Sequence, residues 1–288
     1  MTDQTPELTR IRLTPKELES QEMSSYNIEQ ALVGFDRDGI VIIDNAVNPS
    51  HLDGLNDVMV SDAFKLYNNE STHRNFGIET GNIQQEPVPF KDFLHEDIIC
   101  NPFVGSVTEC LLGPRPVVRF YSANSALKGV KRQPPHIDID FPFNDHCFGI
   151  CVNINLVPTS AENGATELWP GTHRLAKLVD HNVPDELQMQ RRKIRPPVRP
   201  SLPRGAIIIR DFRLWHAGIP NKTEDPRIML VTVQFPRWYR STLKIKLPME
   251  AKEKVECFNN KVLVAADYQK EDYDYLTGSH DFTFAQTY

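Results

Sequence analysis

Between Val117 and Phe235 the chain is a succession of short apolar, β-branched runs separated by turn residues. The runs fall at 117–127, 134–141, 147–157, 165–169, 205–211, 214–217 and 227–236. Short strands recurring in this way between Gly, Pro, Asn and Asp clusters are the pattern of a β-sandwich or barrel. Ahead of them, Ile28, Ala31, Leu32 and Phe35 repeat at helical spacing, and 39–44 reads as a buried strand. Asn48-Pro49-Ser50 opens a helix running through 51–67, residues 68–90 read as loop, and 93–112 carries a further helical pattern that stops at Gly113-Pro114. No internal repeat or linker divides the 288 residues, so one domain is expected.

Two segments stand outside this pattern. Residues 1–25 are polar and are expected to be extended or partly disordered. Residues 175–204 form a basic, Pro-rich insertion holding Arg191, Arg192, Lys193, Arg195, Arg199 and Arg204. Long excursions from compact domains are often lids or binding loops. Such a lid could attract an anionic substrate, or its charges could be neutralised by acids of the same chain.

The formal net charge is −6, which argues against nucleic-acid binding driven by excess Lys and Arg. Five scattered cysteines without a CxxC pair read as reduced thiols rather than a disulfide framework. Cys147 and Cys151 lie near the site proposed below, and either reactivity or plain burial would suit them. No apolar stretch approaches the ~20 residues of a membrane span. The polar N-terminus has no signal-peptide core, and the C-terminus is Ala-Gln-Thr-Tyr rather than the peroxisomal Ser-Lys-Leu. A cytoplasmic location is expected.

The chemistry concentrates in His136-Ile137-Asp138, Trp215-His216 and Arg227. Residues two apart on a strand face the same side. His136 and Asp138 can therefore converge on one ion, and His216 from a later strand can complete a set of two nitrogens and one carboxylate oxygen. That facial set leaves open positions on an octahedral metal and is the signature of non-heme Fe(II) oxygenases. Asp140 shares the strand face and competes with Asp138, whose two-residue spacing from His136 favours it. Arg227, on a strand predicted to pair with that of His216, can grip a carboxylate with a planar fork. Trp169, Trp215, Phe141 and Phe143 are candidates for either pocket walls or core. Phe76 and the 68–90 loop are candidates for closing the mouth. His173 reads as structural and His146 as surface or pocket wall, while His51, His73, His95, His181 and His280 show no partner pattern.

These residues together resemble the phytanoyl-CoA hydroxylase-like Fe(II)/2-oxoglutarate dioxygenases. The resemblance spans roughly residues 30–240 and includes the run from Glu162-Asn163-Gly164-Ala165-Thr166 to Pro170-Gly171-Thr172-His173. It implies a double-stranded β-helix (jelly-roll, cupin-like) core, so the expected class is mainly β with flanking N-terminal α-helices. It implies that His136, Asp138 and His216 bind Fe(II) and that Arg227 binds the distal carboxylate of 2-oxoglutarate, with O2 as the oxidant. Gln133 and Thr166 are implied as secondary co-substrate contacts. Some relatives carry a hydroxyl residue two positions after the distal histidine, where this chain has Gly218. Halogenating relatives lack the metal carboxylate; Asp138 is present, so hydroxylation, desaturation or oxidative cyclisation is expected instead.

The expected function is oxidation of an unactivated C–H of a small organic molecule, in secondary-metabolite biosynthesis, because the Asn-Gly-Ala-Thr motif resembles fungal biosynthetic members. The alternatives are a cupin-like metal enzyme that does not use 2-oxoglutarate, which would not need Arg227, and a phytanoyl-CoA-type lipid hydroxylase. A catalytically dead binding module would be expected to have lost a ligand, and a demethylase of nucleic acid or protein fits poorly with the acidic balance. A homodimer is a further expectation; neither nucleic acid nor membrane is expected as a partner.

Overall fold

The computed structural model describes residues 7–143, 145–258, 261–270, 273–276 and 280–287. The chain begins with β1 (Arg10–Arg12), α1 (Pro15–Ser20), α2 (Ser25–Asp38), β2 (Ile40–Asp44) and α3 (Pro49–Tyr67). The polar N-terminal segment is therefore structured from β1 onward; residues 1–6 lie outside the described part. Its order has a local cause. The Glu17 carboxylate accepts the Thr14 amide at 2.8 Å, closing a capping box on α1, and also the Ser24 amide at 2.7 Å at the start of α2.

Next come β3 (Asn82–Gln85), α4 (Glu96–Ile99), α5 (Pro102–Leu112) and β4 (Val117–Ala126). The helical pattern of 93–112 is split because Pro102 cannot continue a helix but suits the first position of a new one, capped by Asn101. The remaining elements are β5 (Ile150–Asn155), β6 (Glu167–Leu168), α6 (Asp185–Ile194), β7 (Ile207–Asp211), β8 (His216–Ala217) and β9 (Arg227–Phe235). They are followed by β10 (Ile245–Pro248), α7 (Lys252–Glu256), β11 (Leu263–Val264) and β12 (Ala266–Gln269), with β10 and β12 forming a small sheet of their own.

The main sheet runs β1-β2-β7-β5-β9-β4-β11, with β3 also paired to β4. Its central strands are buried on both faces, and strand alternation divides their side chains cleanly. Ile150, Val152, Ile154, Ile207, Ile209, Ile228 and Leu230 pack with residues of α2, α3 and α5. Each such aliphatic side chain contributes about 1.5–3 kcal/mol on full burial. Between them, Cys151, Asn153, Arg210, Met229, Val231 and Val233 line a cavity on the opposite face.

A narrower sheet closes the other side of that cavity. β6 pairs with β8, His136 bridges both His216 and Asn182, and Leu168 bridges Val198. The run at 134–141 is thus a single-rung strand, not the continuous one expected, since Pro134 and Pro135 have no amide to donate. Two sheets with a cavity between them make a jelly-roll, with helices covering the main sheet's outer face.

Gly39 marks how tightly the layers meet. It ends α2 at φ +72°, and a Cβ there would lie 2.5 Å from Nδ1 of His173. His173 is therefore packed against the end of α2, away from the cavity.

Candidate metal and co-substrate centre

His136 and His216 face each other across an antiparallel bridge, exchanging backbone hydrogen bonds of 2.9 and 3.0 Å. Each ring is oriented by its own chain. Nδ1 of His136 lies 2.9 Å from the Pro134 carbonyl, and Nδ1 of His216 lies 3.0 Å from that of Leu214. A carbonyl only accepts, so Nδ1 carries a proton in both rings, and Nε2 is the ring atom each histidine presents to the cavity.

Both Nε2 atoms are turned toward Asp138. Its Oδ1 lies 3.4 Å from Nε2 of His216 and 3.8 Å from Nε2 of His136. One ligand atom from each of the three residues falls within 4.8 Å of the others, and among the described residues this is the one His/Cys/Asp/Glu group so arranged. Asp140 is exposed at the cavity rim and is not part of it. The ionisation states suit a cation. Burial, then the neighbouring His216, pushes His136 down to about 3, leaving it neutral. Burial works to raise the Asp138 carboxyl, but His216 and Arg210 hold it well below the usual carboxylate range.

Arg227 enters the same cavity from the start of β9 and is 2% exposed. Its guanidinium donates to the carbonyls of Asn124 at 3.2 Å and Gly164 at 2.9 Å, while Nε has no partner. Among the described residues it makes no ion pair. Burial lowers it to about 10, so it remains a cation at neutral pH. A buried, unpaired charge is costly unless a counter-ion arrives. The site's residues therefore fit both a divalent metal and an organic anion.

Gln133 and Thr166 also line the cavity. Gln133 accepts the Gly218 amide at 2.7 Å through its side-chain carbonyl. The hydroxyl of Thr166 meets only the sulfur of Met229, at 3.8 Å.

Sequence reasoning missed four contributors. Arg210 donates through Nη2 to Oδ2 of Asp138 at 2.6 Å. His181, given no role from sequence, lies with its ring 5.5 Å from that of His136. Phe282 and Phe284, from the C-terminal segment, line the cavity together with Phe76, Phe120 and Phe212. Phe76 does sit at the mouth, its ring 4.6 Å from that of His136. The other aromatic candidates do not reach the cavity. Trp169 and Trp215 are fully buried beside one another, and Phe141 and Phe143 pack on Phe148.

The basic insertion is tied down by acids of the chain. Arg195 and Arg37 both bind Asp38, at 2.6 and 2.7 Å, and Arg199 and Arg132 both bind Glu167. Only its early part touches the site, where the Ile137 amide donates to the His181 carbonyl at 3.0 Å.

Residues 35–229 match the family profile of phytanoyl-CoA dioxygenase (PhyH). The chain belongs to that family. Dioxygenase af480 of Aspergillus fumigatus is 28% identical over 181 residues, which is 60% of this chain and 55% of that protein. The chain thus spans about half the length of this curated relative. Among solved structures, the epimerase SnoN in complex with Fe3+, alpha ketoglutarate and nogalamycin RO superposes with a TM-score of 0.55 at 20% identity, over 74% of this chain and 85% of its own. A second structure, of the non-heme alpha ketoglutarate dependent epimerase SnoN from nogalamycin biosynthesis, gives 0.54 at 19% identity, over 74% and 82%. These likenesses establish the double-stranded β-helix fold of this PhyH-family chain. No described helix is long and apolar enough to cross a membrane.

Proposed function

We propose that this PhyH-family protein is an Fe(II)/2-oxoglutarate-dependent dioxygenase that oxidises a C–H bond of a small organic molecule in secondary metabolism. One observation carries the reading. Three ligand atoms converge within 4.8 Å in the same cavity as a buried arginine with no ion pair of its own. The family, the Aspergillus relative and the SnoN structures support it.

In this reading Nε2 of His136, Nε2 of His216 and Oδ1 of Asp138 hold the iron, and the Arg227 fork takes the distal carboxylate of 2-oxoglutarate. Gln133 and Thr166 stand beside the co-substrate. When bound, iron and 2-oxoglutarate would supply the oxidising power, with O2 as the oxidant and succinate and CO2 as the co-products of substrate oxidation. The protein's share is placement and exclusion of water. Asn124 and Gly164 fix the arginine by its carbonyl contacts, and Phe76 covers the outer side of His136. Phe120, Phe212, Phe282 and Phe284 give the cavity an aromatic wall that suits an apolar substrate. The cavity, about 450 Å3, is in the lower part of the range for small-molecule pockets and must hold co-substrate and substrate together. That favours a compact substrate over a long acyl chain.

Succinate release tests the assignment. The protein supplied with Fe(II), 2-oxoglutarate and air is expected to form succinate slowly, and faster with a substrate that fills the aromatic end. Iron binding with no 2-oxoglutarate consumption would contradict the proposal and point to a cupin-like enzyme of another chemistry.

A further inference from the structure

Arg210 is almost fully buried, at 5% exposure, next to the last residue of β7. Ile209 before it packs on the helix side of the sheet, and Arg210 shares the cavity face with Cys151, its register partner on β5, and with Asn153. Nε donates to Oδ1 of Asn153 at 3.1 Å, which fixes the plane of the guanidinium. Nη2 donates to Oδ2 of Asp138 at 2.6 Å, and Nη1 has no partner among the described residues. The adjacent Asp211 does not compete for it, because both oxygens of Asp211 are taken by Arg213 at 2.8 and 2.6 Å.

The two oxygens of Asp138 are therefore unequal. Oδ2 is tied to Arg210, and Oδ1 is the one turned to Nε2 of both histidines. A carboxylate free to rotate could offer both oxygens to a metal and fill an extra coordination position. We infer that Arg210 is a positioning residue that holds Asp138 as a one-oxygen ligand and preserves the open face of the metal. The inference rests on the reading of the site as an iron centre. It extends that reading to a residue that touches neither metal nor co-substrate. Partners of metal-bound carboxylates commonly change metal affinity 10–100-fold when removed. Arginine suits the task because its planar fork grips Asn153 and Asp138 together, which the single ammonium of lysine cannot do.

A second consequence follows from the same geometry. Removing the Asp138 carboxylate leaves Arg210 buried without its counter-ion, beside the space the carboxylate filled. A small carboxylate such as formate then has both a cation and a gap of its own size.

Anaerobic Fe(II) titration of the apo-protein tests this. Arg210→Gln is expected to weaken iron binding by roughly 10–100-fold, with Arg210→Lys recovering little, and to shift the visible band that forms on adding 2-oxoglutarate. In Asp138→Ala, formate is expected to tighten iron binding several-fold, and neutral formamide to leave it unchanged. The formate arm is run in Asp138→Ala and in Asp138→Ala/Arg210→Gln, which removes the unpaired charge as well; a gain confined to the first assigns it to the Arg210 cation, and an equal gain in both overturns the inference. If Arg210→Gln binds iron like wild type with an unshifted band, or if formate and formamide act alike, the role of Arg210 is wrong while the iron centre stands. If wild type itself binds no Fe(II), the reading of the site is what fails.

Discussion

The side-chain carbonyl of Gln133 lies over Gly218, accepting its amide at 2.7 Å, and occupies the space a side chain at 218 would need. A Cβ at that position would come within 2.6 Å of Oε1 of Gln133. The space above Gly218 is thus filled by a carboxamide reaching in from the segment before His136. Gly218→Ala should push Gln133 aside. Overpacking of this kind costs about 1–3 kcal/mol, and the expected result is weaker 2-oxoglutarate binding with iron affinity unchanged. Anaerobic titration of each ligand in turn measures both; equal 2-oxoglutarate affinity in variant and wild type would remove Gln133 from the co-substrate site.

Arg227 carries opposite consequences for stability and for binding. Its buried charge has carbonyl partners only, so the free protein bears an uncompensated cost. Arg227→Met should leave iron affinity intact and weaken 2-oxoglutarate by about 2–5 kcal/mol, the range for losing one partner of a buried charge pair. The same substitution should raise the melting temperature of the ligand-free protein. A lower melting temperature would mean that the contacts to Asn124 and Gly164 outweigh the cost of burial.

The thiols should divide by burial. Cys110 and Cys257 are exposed, Cys147 is half-buried and Cys100 and Cys151 are buried; burial pushes the thiols of Cys100, Cys147 and Cys151 upward and keeps them protonated. A colorimetric thiol reagent should modify two cysteines quickly in the native protein and all five only after unfolding. Rapid labelling of Cys151, whose sulfur lies 3.8 Å from Oδ2 of Asp138, would show the cavity to be far more open than it is here.

Acid should weaken the ligand-free fold in two stages. His136 and His95 are lowered by burial to about 3 and about 4. Below the ordinary histidine value near 6.5, the unfolded chain takes up protons that the folded chain refuses. Stability held above that pH is lost as pH falls toward 4. Glu17 acts lower. Burial opposes its charge, but hydrogen bonds from Thr14 and Ser24 bring it down to about 2, so its contribution is lost only between about pH 4.5 and 2. Urea midpoints measured from pH 7.5 to 4 should fall steadily below pH 6.5; a flat profile down to pH 4.5 would contradict the burial of neutral histidines.

The parts of the site legible in the sequence share a reason. His136 and Asp138 are two apart on an extended segment, and His216 and Arg227 follow turns that return the chain to the same sheet system, so residue type and strand period place them together. Arg210 was not legible, because a run of isoleucines ending in Arg-Asp does not say which partner each charge meets across the cavity. β3 was hidden by its polarity: Asn82, Gln84 and Gln85 are buried through hydrogen bonds such as that of Gln84 to Ser122, not through apolar contact. Large aromatics announce burial without saying where. Trp169 and Trp215 went to the core, while the cavity wall came from Phe282 and Phe284, far beyond the strands that carry the ligands.

One cavity is proposed to hold iron and 2-oxoglutarate together. Under strict exclusion of oxygen, Fe(II) added to the apo-protein and then 2-oxoglutarate should give a weak visible charge-transfer band. The band should saturate with one equivalent of each, be absent in His136→Ala and require far more 2-oxoglutarate in Arg227→Met. Iron binding with no such band at any 2-oxoglutarate concentration would rule out 2-oxoglutarate as the co-substrate of this cavity.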